Sequence, residues 1–189
     1  MILIINCGSN KSKYIEQAVD LVCDFQTIGM NDIQTLELDK FDGIIISGSP
    51  ILVTEVDSTP YQQLFSWIKD YKNPILGICF GHQIIAMIHG AFATRQKEDR
   101  DWQKIESLAE SPLFNRLPEE FEMMEDHCET VSIPSDFNLI AVSDACVNEG
   151  MQHKEKLIFG VQFHPEVSGN MGTLIIENFV NICLEEVKS

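Results

Sequence analysis

The chain has 189 residues, of which 44% are hydrophobic and 22% are charged, a composition typical of a globular protein with a buried core. Its 29 acidic and 13 basic residues give a formal net charge of −16 at pH 7. Nucleic acids and anionic membrane surfaces both require a basic face, so the charge excludes these two classes of partner.

The opening segment lacks the basic region of a secretory signal, and the apolar runs fall far short of the roughly 20 residues that span a membrane. We therefore expect a cytoplasmic protein whose six cysteines are free thiols. The cysteines show no C-x-x-C spacing, and together with the histidines they match no zinc pattern. Neither a metal site nor a cofactor is expected.

Short apolar runs alternate with helical periodicity through the first ninety residues. The predicted strands cover residues 2–6, 42–50 and 73–79, and the predicted helices cover residues 14–25, 58–71 and 81–90. This alternation predicts an α/β fold in which helices flank a sheet.

The second half of the chain is less periodic. Residues 120–127, 138–144 and 156–163 are predicted strands, for which an antiparallel arrangement is one option. A final helix is predicted over residues 172–187, and its wide apolar band predicts either core contact or a partner surface. No linker or repeat interrupts the chain, so residues 1–189 are expected to form one domain.

The stretch "GICFGHQ", residues 77–83, places Cys79 between two glycines where a strand gives way to a helix. Such glycines permit a sharp turn that lifts one side chain above the carboxyl edge of the sheet. The amides at the start of the helix would favour a reactive thiolate, and the amide of Phe80 would face an oxyanion beside the sulfur. The alternative is a buried, inert cysteine.

A cysteine nucleophile needs a base, and "GVQFHPEV", residues 160–167, offers one. His164 follows an apolar strand, and in an extended H-P-E segment it points to the same side as Glu166. A carboxylate there could orient the imidazole and stabilise its charged form. The alternative is a surface histidine beside a solvated glutamate.

Taken together, "GICFGHQ" and "FHPEV" in this order resemble the class I, or triad-type, glutamine amidotransferase family. A third segment, "SGSP" at residues 47–50, resembles the family's S-G-G-P oxyanion loop. The resemblance covers essentially the whole chain. It implies a flavodoxin-like three-layer α/β/α fold with a mostly parallel central sheet and a strand-to-helix nucleophile elbow.

The same resemblance implies roles for individual residues. Cys79, His164 and Glu166 would form the catalytic triad. The backbone amides of Phe80, Gly48 and Ser49 would form the oxyanion hole, and Gln83 would help hold the glutamine substrate. Ser49 replaces a family glycine, so a backbone conformation open only to glycine would be strained there.

Two other thiols compete for the role of nucleophile. Cys7 follows the first strand but lacks a second glycine to build an elbow, which favours a structural role. Cys128 adjoins His127, yet neighbours on a strand point to opposite faces and make a poor nucleophile–base pair. His127 matches the histidine of a His-Gly-Asp segment in related synthetase glutaminase domains, which suggests a structural role near a partner.

Within the family, "FHPEV", the histidine of "EDHCETV" and the terminal "ENFV" look most like the glutaminase part of GMP synthetases. The segments "NCGSNKS" and "RDWQKIE" depart from that group's pattern. The resemblance implies that the substrate is L-glutamine and that the partner is an ammonia-accepting synthetase subunit. The alternatives are a stand-alone γ-glutamyl amide hydrolase of the same fold and a non-catalytic binding relative.

Overall fold

The computed structural model describes residues 1–186, whose main feature is a nine-stranded sheet in the order β2-β1-β3-β4-β11-β10-β9-β6-β7. A separate two-stranded ribbon pairs β5 with β8. The strands are β1 (Ile2–Asn6), β2 (Phe25–Gly29), β3 (Gly43–Ile46), β4 (Ile75–Ile78), β5 (Ala93–Asp99), β6 (Trp102–Ser107), β7 (Glu120–Met124), β8 (His127–Val131), β9 (Phe137–Val142), β10 (Gly150–His153) and β11 (Ile158–Val161).

The five strands from β2 to β11 run parallel and form one half of the sheet. Strands β3, β4 and β11 are buried at every position, because helices cover both faces of a parallel sheet. The helices are α1 (Ser12–Asp20), α2 (Thr59–Leu64), α3 (Phe80–Ile88) and α4 (Gly169–Glu186).

The apolar side chains of β1 divide between two cores. Ile2 and Ile4 pack with α1 and α4, whereas Leu3 and Ile5 pack with α3 on the opposite face. This alternation follows from the period of two in a strand. The expected three-layer, flavodoxin-like α/β/α fold is therefore confirmed.

The other half of the sheet is antiparallel. Strand β10 pairs antiparallel with both β11 and β9, and β6 pairs antiparallel with both β9 and β7. The predicted strand at 156–163 proved to be β11, which runs parallel to β4 and antiparallel to β10. It is the strand at which the sheet changes from one arrangement to the other.

Several predicted boundaries were wrong. The first helix ends at Asp20 rather than 25, and Phe25 instead begins β2. The predicted helix at 58–71 divides into α2 and a 3₁₀ turn, Ser66–Lys69. The final helix begins earlier than predicted, at Gly169, and its predicted last residue, Val187, lies outside the described residues.

The broad apolar band of α4 serves as core contact. The buried residues of this helix include Ile175, Ile176, Phe179, Val180 and Cys183. Among residues 1–186, no helix combines the length and apolar character needed to cross a membrane.

Candidate active site

Cys79 occupies a strained turn between β4 and α3. Its φ of 50° and ψ of −102° lie outside the regions that residues with a side chain normally adopt. The amide of Cys79 donates to Val161 at 2.9 Å, and its carbonyl accepts from Gln83 at 3.0 Å, so both sides of the turn are fixed. The sulfur-bearing residue is held at the carboxyl edge of the sheet, as the sequence predicted.

The flanking glycines permit the close approach of α3 to the sheet. A Cβ on Gly77 would lie 2.5 Å from the backbone carbon of Gly81. A Cβ on Gly81 would collide with the carbonyl of Ile46 in β3. Glycine is therefore required at these two positions by space rather than by φ.

His164 follows β11 and carries its base toward the same edge. Its amide donates to Met124 at 2.9 Å, and its Nδ1 lies 2.8 Å from Glu166 Oε1. Both side chains are buried, and Pro165–Val167 forms the 3₁₀ turn that holds them together. The two residues point to the same side, as the H-P-E pattern predicted.

Cys79 and His164 meet beside Gly48. A Cβ on Gly48 would lie 3.1 Å from His164 Cε1 and 3.5 Å from Cys79 Cβ, so any larger residue would push between them. Burial alone lowers the pKa of His164, but the negative charge of the Cys79 thiolate, followed by that of Glu166, raises it to about 10. A thiolate and an imidazolium therefore form the stable charge state of this site.

The loop after β3 runs alongside this pair. Ser47 is fully buried, and its hydroxyl accepts from the amide of Cys7 at 2.9 Å and donates to the Gly48 carbonyl at 2.8 Å. Within the described part of the chain, positive φ among non-glycine residues occurs only at Cys79 and Arg116. Ser49 thus replaces the family glycine without the anticipated strain. Phe80 is the first residue of α3, where an amide has no partner within the helix.

A cavity of about 240 Å³ opens over Cys79 and His164. Its lining comprises Gly8, Ser9, Asn10, Lys11, Ser49, Pro50, Cys79, Asp126 and His164. Lys11 and Asp126 form an ion pair in this lining, with Nζ and Oδ2 2.5 Å apart. A larger cavity of about 750 Å³, lined by residues between Ser107 and Glu119, contains neither cysteine nor histidine in its walls. We therefore assign the site by its chemistry rather than by size.

Gln83 lies beneath the cavity rather than in its lining. The residue is 3% exposed, and its Nε2 donates to Gln162 Oε1 at 3.2 Å. Gln162 in turn donates from Nε2 to Cys79 Sγ at 3.6 Å. The sequence analysis did not identify Gln162, although a glutamine immediately after an apolar buried strand was a usable signal. It also did not identify Lys11 or Asp126, which come from distant segments.

The geometry joins a cysteine elbow, a histidine and a carboxylate on a doubly covered parallel sheet. A family model described as glutamine amidotransferase class-I matches residues 3–183. The chain belongs to the class-I glutamine amidotransferase family. This membership was predicted from the elbow and H-P-E motifs.

Relatives and solved structures agree with that assignment. This amidotransferase is 35% identical over 189 residues to the glutamine-hydrolyzing subunit of the GMP synthase of Methanococcus vannielii, and the match covers 97% of each chain. It is 39% identical over 149 residues to the subunit of the same name from Pyrococcus furiosus, covering 77% of this chain and 78% of the relative. A crystal structure from Thermoplasma acidophilum, described as that of a GMP synthase subunit, superposes with a TM-score of 0.90 at 31% identity, covering 99% of this chain and 95% of that one.

The other thiols of this amidotransferase have different surroundings. Cys7 is buried, and desolvation raises the pKa of its thiol to about 12, which suits a structural role. Desolvation also raises the pKa of Cys128, and His127 beside it turns inward. The buried His127 lies against Glu125 and Glu149, whose pKa values burial raises to about 8 and about 9. Sequence analysis anticipated none of this acidic cluster.

Proposed function

We propose that this chain hydrolyses the side-chain amide of L-glutamine to glutamate and ammonia, and that the ammonia serves a partner synthetase subunit of the GMP synthase type. The observation that carries the proposal is the strained Cys79 elbow beside the His164–Glu166 pair. Relatives named as the glutamine-hydrolyzing subunit of GMP synthase, matched over 97% of both chains, support the reaction and the kind of partner.

The first half of the reaction forms a thioester. The Cys79 thiolate attacks the carboxamide carbon, and the carbonyl electrons move onto oxygen to give a tetrahedral oxyanion. The amide of Phe80 and those of Gly48 and Ser49 are proposed to bind that oxyanion, a contribution worth about 3–4 kcal/mol per donor in comparable sites. The imidazolium of His164 then gives its proton to the leaving nitrogen, and ammonia departs.

The second half of the reaction releases glutamate. His164, now neutral, removes a proton from water as the water attacks the thioester carbon. The tetrahedral intermediate collapses, the carbon–sulfur bond breaks, and the thiolate–imidazolium pair is restored. Glu166 keeps Nδ1 protonated throughout, so Nε2 is the nitrogen that exchanges protons with Cys79, ammonia and water.

The cavity suits a free amino acid. Its volume of about 240 Å³ is below the roughly 300–1,000 Å³ of pockets that hold drug-sized ligands. Lys11 and Asp126 present one positive and one negative group at its wall, which complements the α-carboxylate and α-ammonium of glutamine. We propose that these two groups exchange their mutual ion pair for contacts with the substrate. Gln83, buried below, would act on glutamine only through Gln162 and Cys79.

The test combines labelling with activity. The purified chain is treated with a glutamine-analogue electrophile, and the modified peptide is identified by mass spectrometry, with Cys79 as the expected site. Cys79→Ala should lower glutaminase kcat on the order of 10⁵–10⁶-fold, whereas Cys128→Ala should retain wild-type activity because its thiol lies outside the cavity.

Assays with and without a GMP synthase-type partner separate the alternatives. Ammonia release that rises with the partner supports the proposal. Faster turnover of γ-glutamyl conjugates by the isolated chain would instead assign it as a stand-alone hydrolase. A Cys79 that remains unlabelled while a related glutaminase reacts would indicate a non-catalytic binding protein.

A further inference from the structure

A second cluster of functional groups lies behind the catalytic residues. Glu125 is in the connection between β7 and β8, His127 is the first residue of β8, and Glu149 immediately precedes β10. One ligand atom from each residue can be chosen so that all three lie within 4.8 Å of one another. The residues are 1%, 6% and 0% exposed, so water has little access to them.

These groups lack partners of their own. Among residues 1–186, both carboxylate oxygens of Glu125, Oε2 of Glu149 and Nε2 of His127 have no hydrogen-bond partner. Buried carboxylates are costly unless a positive charge or a proton neutralises them. No lysine or arginine forms an ion pair with either glutamate within the described range. Something absent from the polypeptide must therefore neutralise the cluster.

The hydrogen bonding of His127 fixes which nitrogen faces the cluster. Nδ1 lies 3.0 Å from the carbonyl oxygen of Glu129, and a carbonyl can only accept, so Nδ1 carries the proton. The Gln96 amide, 3.2 Å from the same nitrogen, then presents its oxygen, an assignment made from the hydrogen-bond network. Nε2 is left with a lone pair directed at Glu125 Oε2, 3.1 Å away.

This arrangement is that of a metal ligand. A ligating histidine typically donates its other N–H to a backbone carbonyl, as His127 does to Glu129. Ligating carboxylates are themselves hydrogen-bonded, and Ser143 donates to Glu149 Oε1 at 2.6 Å while Oε2 stays unpartnered. Two ligands bonded at about 2.0–2.1 Å in tetrahedral geometry lie roughly 3.3 Å apart, close to the separation of Nε2 and Oε2.

We propose that Glu125, His127 and Glu149 bind one divalent transition-metal cation such as Zn²⁺ or Mn²⁺. One imidazole and two carboxylates are a donor set that these cations accept. The two positive charges balance two carboxylates, and the second oxygen of Glu125 offers a fourth ligand atom. The ligands come from separate elements, which explains why no zinc spacing is visible in the sequence.

A second group, His89, Asp136 and His153, meets the same distance criterion but not the chemistry. The backbone amides of Glu155 and Lys156 donate to His153 Nδ1, at 3.0 and 3.1 Å. The proton of that neutral ring is therefore on Nε2, the nitrogen that faces Asp136 at 3.5 Å. An N–H cannot ligate a cation, so this group serves as a control.

The cation would tie together two segments that support the catalytic residues. Met124, next to Glu125, accepts from the His164 amide at 2.9 Å. The carbonyl of Glu149 accepts from the Gln162 amide at 2.9 Å. The role is therefore one of positioning, and it does not depend on the proposed reaction being correct.

The test measures Mn²⁺ binding, because Mn²⁺ prefers oxygen and nitrogen ligands and avoids the six thiols. The full chain is stripped with a chelator, the chelator is removed, and Mn²⁺ is titrated while the electron paramagnetic resonance signal of free Mn²⁺ is followed. We expect one equivalent to bind and the unfolding temperature to rise. Glu149→Gln and Glu125→Gln should each weaken binding by at least about 100-fold, whereas Asp136→Asn should bind as the wild type does.

The wild type alone can overturn the proposal. If the stripped, folded chain binds no equivalent of Mn²⁺ or of Zn²⁺, the cluster is neutralised by a proton shared between the two carboxyl groups. Equal binding by the wild type and by folded Glu149→Gln would also overturn it, since the ion would then sit elsewhere. Circular dichroism of each variant establishes that the protein compared is folded.

Discussion

The charge on His164 links stability to reactivity at the scale of single residues. In the unfolded chain the imidazole has its ordinary pKa of 6.5, whereas in the folded chain the Cys79 thiolate and Glu166 outweigh burial and raise the pKa to about 10. The folded protein thus holds a proton between these values that the unfolded chain has released. This contribution to the free energy of unfolding is full below pH 6.5 and is lost as the pH rises through about 10.

We expect the ring proton resonance of His164 in nuclear magnetic resonance spectra, assigned by its loss in His164→Gln, to remain that of an imidazolium from pH 6 to 8. In Cys79→Ala the pKa of His164 should fall, because the largest cause that raises it is removed. His153 provides an internal comparison, since burial lowers its pKa in both proteins. A His164 resonance that titrates near pH 6.5 in the wild type would contradict the ion-pair assignment.

The sequence predicted the residues whose neighbours in the chain reveal their surroundings. Cys79 lies between glycines, and His164 and Glu166 are two residues apart, so local geometry alone indicated an elbow and an oriented base. Gln162 and the pair of Lys11 and Asp126 could not be assigned in the same way. Their roles depend on contacts between elements that are distant in sequence.

The same distinction holds for whole elements. The parallel strands were predicted where they are continuous apolar runs, as in β1, β3 and β4, because both of their faces are buried. Strand β5 was not predicted, since it reads "ATRQKED" and most of its residues are exposed. Strand β2 is only half-buried at the edge of the sheet, and its first residue was absorbed into the predicted helix.

The contact of α3 with β3 gives a prediction for one element. Gly81→Ala adds a methyl group that must displace the carbonyl of Ile46, so the helix has to move away from the sheet. We expect a loss of about 3 kcal/mol in the free energy of unfolding measured in urea, and slower alkylation of Cys79. The helix start and the thiol are both held by this contact.

Gly90→Ala is the matched control at the other end of α3. Gly90 has a φ of +92°, but an added Cβ meets no atom within 4 Å. The cost there is backbone strain alone, about 1–2 kcal/mol, and Cys79 should be alkylated at the wild-type rate. Equal losses in the two variants, or wild-type alkylation in Gly81→Ala, would contradict a requirement for close packing at the elbow.

At the scale of the molecule, one sheet joins two halves that differ in arrangement. The parallel half carries α1 to α4, and the antiparallel half extends it through β10, β9, β6 and β7. The first core cluster is continuous across both halves: Ile105 of β6, Phe121 of β7 and Ile140 of β9 belong to the same cluster as Ile78 of β4. We propose that the chain unfolds as one cooperative domain because neither half has a core of its own.

The two tryptophans allow each half to be followed separately. Trp67 lies in the 3₁₀ turn after α2 on the parallel half, and Trp102 begins β6 on the antiparallel half. In Trp102→Phe the fluorescence reports the first region, and in Trp67→Phe it reports the second. For each variant, we expect the fluorescence midpoint in urea to coincide with the midpoint from far-ultraviolet circular dichroism. If Trp102 instead responds at a lower urea concentration than the bulk secondary structure, the antiparallel half is a separate unit, and the shared core cluster does not couple the two.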